Sequence, residues 1–398
     1  MTTLSVVIPA YNEEGGIADI AHRVLAVKDD LVKHGVNRLE LLVVDDGSRD
    51  KTAEVTSQIE GVRLIRHPKN KGYGAALKTG FSQAEGELIG FLDADGTYPP
   101  EYFPQLCTEA LKGGELVIGS RMAGVESKVP ITRRIGNVFF ANLLSLVGRQ
   151  RVSDSASGMR VFKREILDRI YPLPDGLNLT PVMSTRAIHE GIKMVEVPIP
   201  YSERVGRSKL SVVRDGSIFL QSIIWTALTY NPVRILGLLG LGGVAFTVLV
   251  GIYLIIARLS GVTSLDPWGI AAVFASVVSG ITGVSVFALG TTFNYLVSLF
   301  YKRPIRQGLF GRPLLNPSLD YHFGWGGTVI FILGMIIALV TMILGIQGWG
   351  IERQWLYFLG SALFILVGVQ LVIYWILMRV LDELNQREEL TKKDLGIA

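Results

Sequence analysis

Four long apolar runs dominate the second half of this chain, at 235–257, 269–300, 324–346 and 355–378. Each is roughly 23 residues or longer, and ~20 apolar residues carry an α-helix through a bilayer core. A single run of this kind also fits a buried helix in a large soluble domain. Four in succession, in a nearly uncharged stretch, read as transmembrane helices. The mean hydropathy of +0.39 and the 49% hydrophobic content are therefore unevenly spread. Residues 1–210 have the make-up of an ordinary α/β domain, and 398 residues leave room for two or three domains.

An even number of spans puts both ends of the membrane region on one side. Lys302, Arg303, Arg306 and Arg312 lie between the second and third spans, against little more than Arg258 and Arg353 in the other two loops. The positive-inside rule then predicts a multi-pass integral membrane protein with the N-terminal domain, the basic loop and a tail at 380–398 in the cytoplasm. Met1-Thr2-Thr3 leads directly into a strand-like run, so no signal peptide is expected. The lone cysteine, Cys107, excludes an internal disulfide and fits a reducing compartment. A net charge of +4 is too small to argue for nucleic acid, and no helix-turn-helix, zinc or aromatic RNA-binding pattern is present.

Within residues 1–210, short β-rich runs alternate with helical stretches. Leu4-Ser5-Val6-Val7-Ile8 ends at Pro9, and residues 39–44 end in Asp45-Asp46-Gly47-Ser48. A run at 62–66 precedes Lys71-Gly72-Tyr73-Gly74, and Glu87-Leu88-Ile89-Gly90-Phe91-Leu92 ends in Asp93-Ala94-Asp95. Alternation of this kind predicts a parallel sheet with helices on both faces. Every acidic or Gly-rich signal falls at the C-terminal end of a strand, where ligands of open α/β sheets bind. Asp93 and Asp95, one residue apart, can face the same way, and their oxygens suit Mg²⁺ or Mn²⁺ holding a diphosphate. Capping of the next helix is an alternative use for Asp45 and Ser48, as is a first-turn charge for Asp50. Asp45 and Asp46 together exceed what capping needs.

These residues resemble glycosyltransferase family 2, inverting nucleotide-sugar enzymes of the GT-A fold. The resemblance rests on Pro9-x-Tyr11-Asn12-Glu13, Val43-Val44-Asp45-Asp46-Gly47-Ser48, Asn70-x-Gly72-x-Gly74 and Asp93-Ala94-Asp95. Asp154-Ser155-Ala156-Ser157-Gly158-Met159-Arg160 and Glu203-Arg204-x-Gly206-x-Ser208-Lys209-Leu210 resemble the polyprenyl-phosphate branch, which includes dolichol-phosphate mannose and glucose synthases. The resemblance covers about residues 4–230. It implies an α/β GT-A (Rossmann-like, mostly parallel) domain over 1–210, a juxtamembrane interface helix at 211–232 and an all-α four-helix transmembrane region at 233–379.

It also implies site residues. Pro9, Tyr11, Glu13, Asp45, Asp46, Lys71, Asp93, Ala94 and Asp95 would bind the nucleotide sugar (UDP- or GDP-linked). Asp93 and Asp95 would hold the metal, with Thr97 standing where many mannose synthases have a ligating Gln. A hydroxyl is a weaker ligand, so neither the coordination shell nor the sugar preference carries over.

The acceptor side has its own physical logic. A phosphate monoester has a second pKa near 6 and is largely ionised at neutral pH. It can attack the sugar carbon without a dedicated base, and needs positioning together with cations that draw it towards an anionic donor. Arg121, Arg133, Arg134, Arg204 and Lys209 are candidates, since Arg donates bidentate hydrogen bonds to phosphate. Asp154 either orients acceptor and sugar or holds the loop that Gly158 turns.

Apolar residues at helical spacing in 131–147 (Ile135, Val138, Phe139, Leu143, Leu146, Val147) and in 211–230 (Val212, Phe219, Ile223, Trp225), the former with basic flanks, fit helices lying in a membrane interface. The expected activity is transfer of one hexose to a polyprenyl phosphate. A processive polysaccharide synthase and a non-catalytic flippase-like protein are the alternatives. Gln-x-x-Arg-Trp and preceding spans, expected of the first, are absent, and the spans lack the mid-membrane ionisable residue expected of the second. Gly237, Gly240, Gly243, Gly280 and Gly283 would permit close helix contacts, within the chain or in a homo-oligomer.

Overall fold

The computed structural model describes residues 2–122, 131–147, 150, 152–202, 212–262, 265–301 and 319–395. The chain divides after Ala227 into two compact units. The first is built on seven strands: β1 (Thr3–Ala10), β2 (Arg38–Asp45), β3 (Val62–Arg66), β4 (Leu88–Phe91), β5 (Leu116–Ser120), β6 (Arg160–Lys163) and β7 (Met194–Pro198). They form one sheet in the order β3-β2-β1-β4-β6-β5-β7. All run parallel except β6, which is antiparallel to both β4 and β5. The interleaved helices are α1 (Ile17–Ala26), α2 (Lys28–Lys33), α3 (Thr52–Ser57), α4 (Tyr73–Gln83), α5 (Phe103–Leu111), α6 (Ile131–Val147), α7 (Leu167–Ile170), α8 (Leu179–His189) and α9 (Val212–Tyr230).

Alternation of side chains along each strand feeds two cores. Val6 and Ile8 of β1, with Leu41 and Val43 of β2, pack with Ile17, Ile20 and Val24 of α1 and with Phe103 and Leu106 of α5. Val7, Leu42 and Val44 point the other way, to Ala76, Leu77 and Phe81 of α4 and Leu179 and Met183 of α8. Burial on both faces is why these strands read as continuous apolar runs. Cys107 sits in the first core, and burial pushes its thiol up to about 12.

The second unit contains α10 (Pro232–Leu259), α11 (Pro267–Tyr301), α12 (Phe323–Ile346) and α13 (Ile351–Asp394). Four of its helical segments are long and apolar enough to cross a membrane, with mean hydropathies of 2.1 to 3.0. At most 22% of each apolar window is buried inside the chain, so the outward faces are themselves apolar. Helices α10 and α11 pack glycine to glycine: a Cβ on Gly240 would lie 2.5 Å from the Gly283 carbonyl oxygen, and one on Gly283 2.7 Å from that of Gly240. Gly327 and Gly368 bring α12 and α13 together in the same way. The Tyr295 hydroxyl donates to Asp320, and the Arg379 guanidinium lies 4.5 Å from the centre of the Tyr321 ring.

α13 does not stop where the apolar run ends. It continues as helix through the segment expected to be a tail, which is rich in Leu, Glu, Lys, Arg and Gln and has no Gly or Pro before Gly396. Gln386 donates to Asp382 at 3.0 Å and Arg379 lies 3.8 Å from the same carboxylate, reinforcing that turn.

Packing leaves no room for a side chain where Gly80 of α4 rests on β1. A Cβ on Gly80 would lie 2.2 Å from Val7 Cγ1 in the second core. Gly80→Ala must push α4 off the sheet, and is expected to cost about 1–3 kcal/mol. The thermal unfolding midpoint of the purified variant, compared with the unaltered chain, measures this.

Candidate active site

The strand ends converge on a cavity of about 490 Å³. Pro9 and Ala10 at the end of β1 line it with Tyr11 and Glu13 of the following loop, as do Asp46 after β2 and Asp93, Ala94 and Asp95 after β4. Arg121 after β5 and Gly158 before β6 complete its polar side. Asn137 and Phe140 of α6 and Phe219 of α9 form a more apolar side.

The first two loops hold each other. Asn12 adopts a left-handed backbone (φ 53°), rare outside glycine. It is pinned there by its N–H to Ser48 Oγ at 2.9 Å and by Arg49 N–H to its own Oδ1 at 2.8 Å. The Glu13 N–H reaches Thr52 Oγ1 at 2.8 Å, and Asp50 Oδ1 takes the Thr52 N–H at 3.0 Å. Ser48 therefore serves the neighbouring loop rather than capping α3, whose start is turned by Asp50.

Asp45 and Asp46 divide their work. Asp45 is fully buried, accepts the Ser48 N–H at 3.0 Å, meets Arg66 at 3.4 Å and is not among the cavity residues. Asp46 lines the cavity and accepts the N–H groups of Lys71 (2.9 Å) and Gly72 (2.8 Å). His67 Nδ1 lies 2.7 Å from the same carboxylate, with Nε2 3.0 Å from Thr79 Oγ1. Lys71 is thus placed through its backbone, and its side chain is not part of the lining. The glycines of Asn70-x-Gly72-x-Gly74 serve close approach. Cβ atoms on Gly72 and Gly74 would lie 2.5 Å from the carbonyl oxygen of Asp175 and 2.2 Å from that of Pro174, and Gly72 also has φ +107°.

That loop starts α4 at Tyr73, whose hydroxyl donates to Asp93 Oδ1 at 2.7 Å. Burial, then the Asp93 charge, holds the Tyr73 pKa well above its ordinary value, so the hydroxyl remains a donor. On the other flank of Asp93 there is space only for glycine: a Cβ on Gly158 would fall 2.5 Å from Asp93 Oδ2. Asp95 Oδ1 accepts from the Thr97 hydroxyl at 2.6 Å and the Thr97 N–H at 3.2 Å. Thr97, 1% exposed, acts on Asp95 here and is not a cavity residue. Among the described residues no group of three His, Cys, Asp or Glu side chains converges as a metal cage.

At the end of β5, Arg121 Nε and Nη2 each lie 2.7 Å from Asp154, and the Arg121 N–H reaches the same carboxylate at 3.0 Å. Asp154 is fully buried and is itself placed by Glu196 of β7. Glu196 accepts the Asp154 N–H at 2.9 Å, and the Ser153 N–H and hydroxyl at 2.8 Å each. Burial opposes both charges, yet Arg121 overrides it at Asp154, and Tyr98 followed by Asp154 overrides it at Arg121. The Asp154 carboxyl is held below its ordinary range and the Arg121 guanidinium above its own. Behind them Arg160, fully buried on β6, binds the carbonyls of Ser155 (2.7 Å) and Ser157 (3.1 Å) and so shapes the loop between Asp154 and Gly158. Burial brings its pKa down to about 10, which leaves it charged at neutral pH.

Of the residues expected from sequence, Pro9, Tyr11, Glu13, Asp46, Asp93, Ala94, Asp95 and Arg121 meet at the cavity, with Asp154 directly behind Arg121. Arg134 is exposed on α6 and does not line it. Arg204, Lys209 and the Arg133 side chain lie outside the described residues. Tyr73, Tyr98, Tyr201, Arg160 and Glu196 escaped sequence reasoning. The nearest signal was proximity in the chain, since Tyr98 follows Asp95 by three residues and Arg160 ends the Asp154 motif.

Residues 5–171 match the profile of Glycosyl transferase family 2, and residues 232–392 match a Domain of unknown function (DUF8752). A dolichyl-phosphate hexose transferase of Haloferax volcanii is 32% identical over 221 residues, 56% of this chain and 92% of that protein. The low-salt glycan biosynthesis hexosyltransferase Agl6 of the same organism is 34% identical over 218 residues, 54% of this chain but 51% of the relative. Among solved structures, glucosyl-3-phosphoglycerate synthase from Mycobacterium tuberculosis in complex with UDP aligns with a TM-score of 0.47 at 22% identity, over 57% of this chain and 80% of that one. The chain belongs to glycosyltransferase family 2, and its first unit is the GT-A-like catalytic domain.

The buried pair has a definite pH signature. A depressed Asp154 contributes stability that is complete above its unfolded value near ~3.9 and is lost as pH falls through the folded one. A raised Arg121 contributes fully below its unfolded value, far above neutral pH, and loses its share only as pH rises through its still higher folded one. Asp154→Asn strands a buried cation and is expected to cost about 3–5 kcal/mol. The loss should be the same at about pH 6 and pH 9, because neither group titrates between them. Denaturant unfolding of the two proteins at both pH values checks this.

Proposed function

We propose that this chain transfers a single hexose from a UDP- or GDP-linked sugar to a membrane polyprenyl phosphate, with inversion at the anomeric carbon. The observation that carries the reading is the pairing of two chemistries in one cavity: Asp93 and Asp95 at one strand end and the Asp154-held Arg121 at another. The two Haloferax volcanii relatives, named as hexose transferases, support the same class.

Tyr11, Glu13 and Asp46 line the donor end beside Asp93 and Ala94. The carboxylates of Asp93 and Asp95 are hard oxygen donors that fit Mg²⁺ or Mn²⁺. Bound there, the ion would neutralise charge on the leaving diphosphate. Thr97 orients Asp95, and Tyr73 orients Asp93. The acceptor phosphate is largely ionised, so its oxygen attacks the anomeric carbon as the bond to the nucleoside diphosphate breaks, and no protein base is required. Arg121 spends Nε and Nη2 on Asp154, and Nη1 would serve the acceptor. Arg133, Arg134, Arg204 and Lys209 supply further positive charge to the phosphate by the family resemblance.

Delivery of a lipid acceptor is supported by exposed apolar residues. On α6, Ile131, Ile135, Val138 and Phe139 are 47–76% exposed at helical spacing, while Ala141 and Leu144 face the core. On α9 the exposed set is Val213, Ile218 and Trp225. Phe219 and Ile223, expected on the outer face, pack inward instead. These two stripes would lie in the membrane interface, with the catalytic domain and both termini cytoplasmic by the positive-inside count.

A transfer assay in detergent tests the reading, with labelled UDP-glucose, UDP-N-acetylglucosamine and GDP-mannose offered separately alongside polyprenyl phosphate and Mn²⁺ or Mg²⁺. One donor should give a lipid-extractable product, and Asp95→Ala should lower the rate by about 100-fold or more. Absence of product from every donor with folded protein refutes the proposal.

A further inference from the structure

The Arg121 guanidinium sits in a corner made by two tyrosine rings. Its carbon is 5.8 Å from the centre of the Tyr98 ring and 5.3 Å from that of Tyr201. The rings meet edge to face, 5.5 Å apart at 77°. Both are buried, at 2% and 8% exposure, and both are fixed from outside. The Tyr98 hydroxyl accepts the Gly158 N–H at 2.7 Å, and the Ser202 N–H reaches the Thr97 carbonyl at 3.2 Å, holding the Tyr201 segment against Tyr98. A fork to one carboxylate fixes a guanidinium within its own plane but lets it rock about the bonded edge. Rings within cation–π reach on two sides limit that motion, and the attraction rises as water is excluded.

We infer that Tyr98 and Tyr201 are positioning residues that hold the Arg121 guanidinium at the tilt which presents its remaining nitrogen to the acceptor phosphate. The inference rests on the proposed transfer to a lipid phosphate and adds a specific requirement to it, an aromatic face at both positions. It also links the two half-sites, because Tyr98 lies in the loop of Asp95 while its hydroxyl binds the loop of Asp154.

The test is steady-state kinetics of the full chain in detergent with undecaprenyl phosphate and the active donor, comparing Tyr201→Phe, Tyr201→Met and Tyr98→Met. Methionine keeps apolar bulk without a ring face, and the two positions give independent readings. Each Met variant should raise the KM for the lipid phosphate by about 2- to 30-fold, the range of a partly to fully desolvated cation–π contact. The KM for the nucleotide sugar should be unchanged, and Tyr201→Phe should behave as the unaltered chain. An unchanged lipid KM in both Met variants overturns the inference. So does an equal rise in both KM values, which marks general loosening, or a Phe variant as impaired as Met. If the unaltered chain transfers no sugar to the lipid, the functional proposal falls and takes this inference with it, an outcome distinct from an active enzyme indifferent to the rings.

Discussion

The buried pair of Arg121 and Asp154 is the interaction on which the catalytic unit is organised. Taking two charges out of water costs several kcal/mol each, and only close geometry with further hydrogen bonds returns it. The surrounding structure is arranged to meet that condition. Asp154 receives the backbone N–H of Arg121 as well as its side chain, and Glu196 secures the Asp154 backbone from a third strand. The end of β5, the loop before β6 and the middle of β7 are thereby tied to one another through two carboxylates. The insertion of antiparallel β6 between β4 and β5 makes this geometry available, since it brings the loop 154–158 back to the same sheet edge as Asp93.

A second constraint is spatial. Asp93 is bounded by the Tyr73 hydroxyl on one side and by the absent side chain of Gly158 on the other. Tyr73 reaches it only because Asp46 draws in the Lys71–Gly72 backbone and because Gly72 and Gly74 admit the 174–176 segment. The acidic and glycine signals at successive strand ends thus form one connected assembly in which each motif sets the position of the next. Asp45 contributes from beneath this assembly, by turning the loop after β2.

What could be read from sequence follows from the range of the forces involved. Strand ends, the Asp93–Asp95 pair and the four apolar runs are local patterns, and they stand where periodicity and the topology of open sheets put them. Tyr73 and Tyr98 were not legible, because each acquires its role from a partner twenty or more residues away, and Arg160 was not because only the folded loop turns the Ser155 and Ser157 carbonyls towards it. The orientation of α9 shows the same limit. Phe219 and Ile223 look no different from Val213 and Trp225 until the second core claims Ile223 and the cavity wall claims Phe219. The division of Asp45 from Asp46 depends on which carboxylate the pleat turns towards the cavity, and a doublet of identical residues cannot reveal that. The extension of α13 past its apolar run was open to helix propensity, and the charged composition concealed it.

Cys107 has a practical consequence. It is the chain's one sulfhydryl, has no measurable surface, and burial keeps its thiol protonated far above neutral pH. Alkylating reagents that need an accessible thiolate therefore meet a silent background in the folded protein. A cysteine introduced at Ser260 or Gln347, in the turns that follow α10 and α12, would be the sole reactive position, and its labelling in sealed vesicles by a reagent that cannot cross lipid would report which side of the membrane that turn occupies. The unaltered chain thus already has the property for which cysteine-free variants of membrane proteins are usually built.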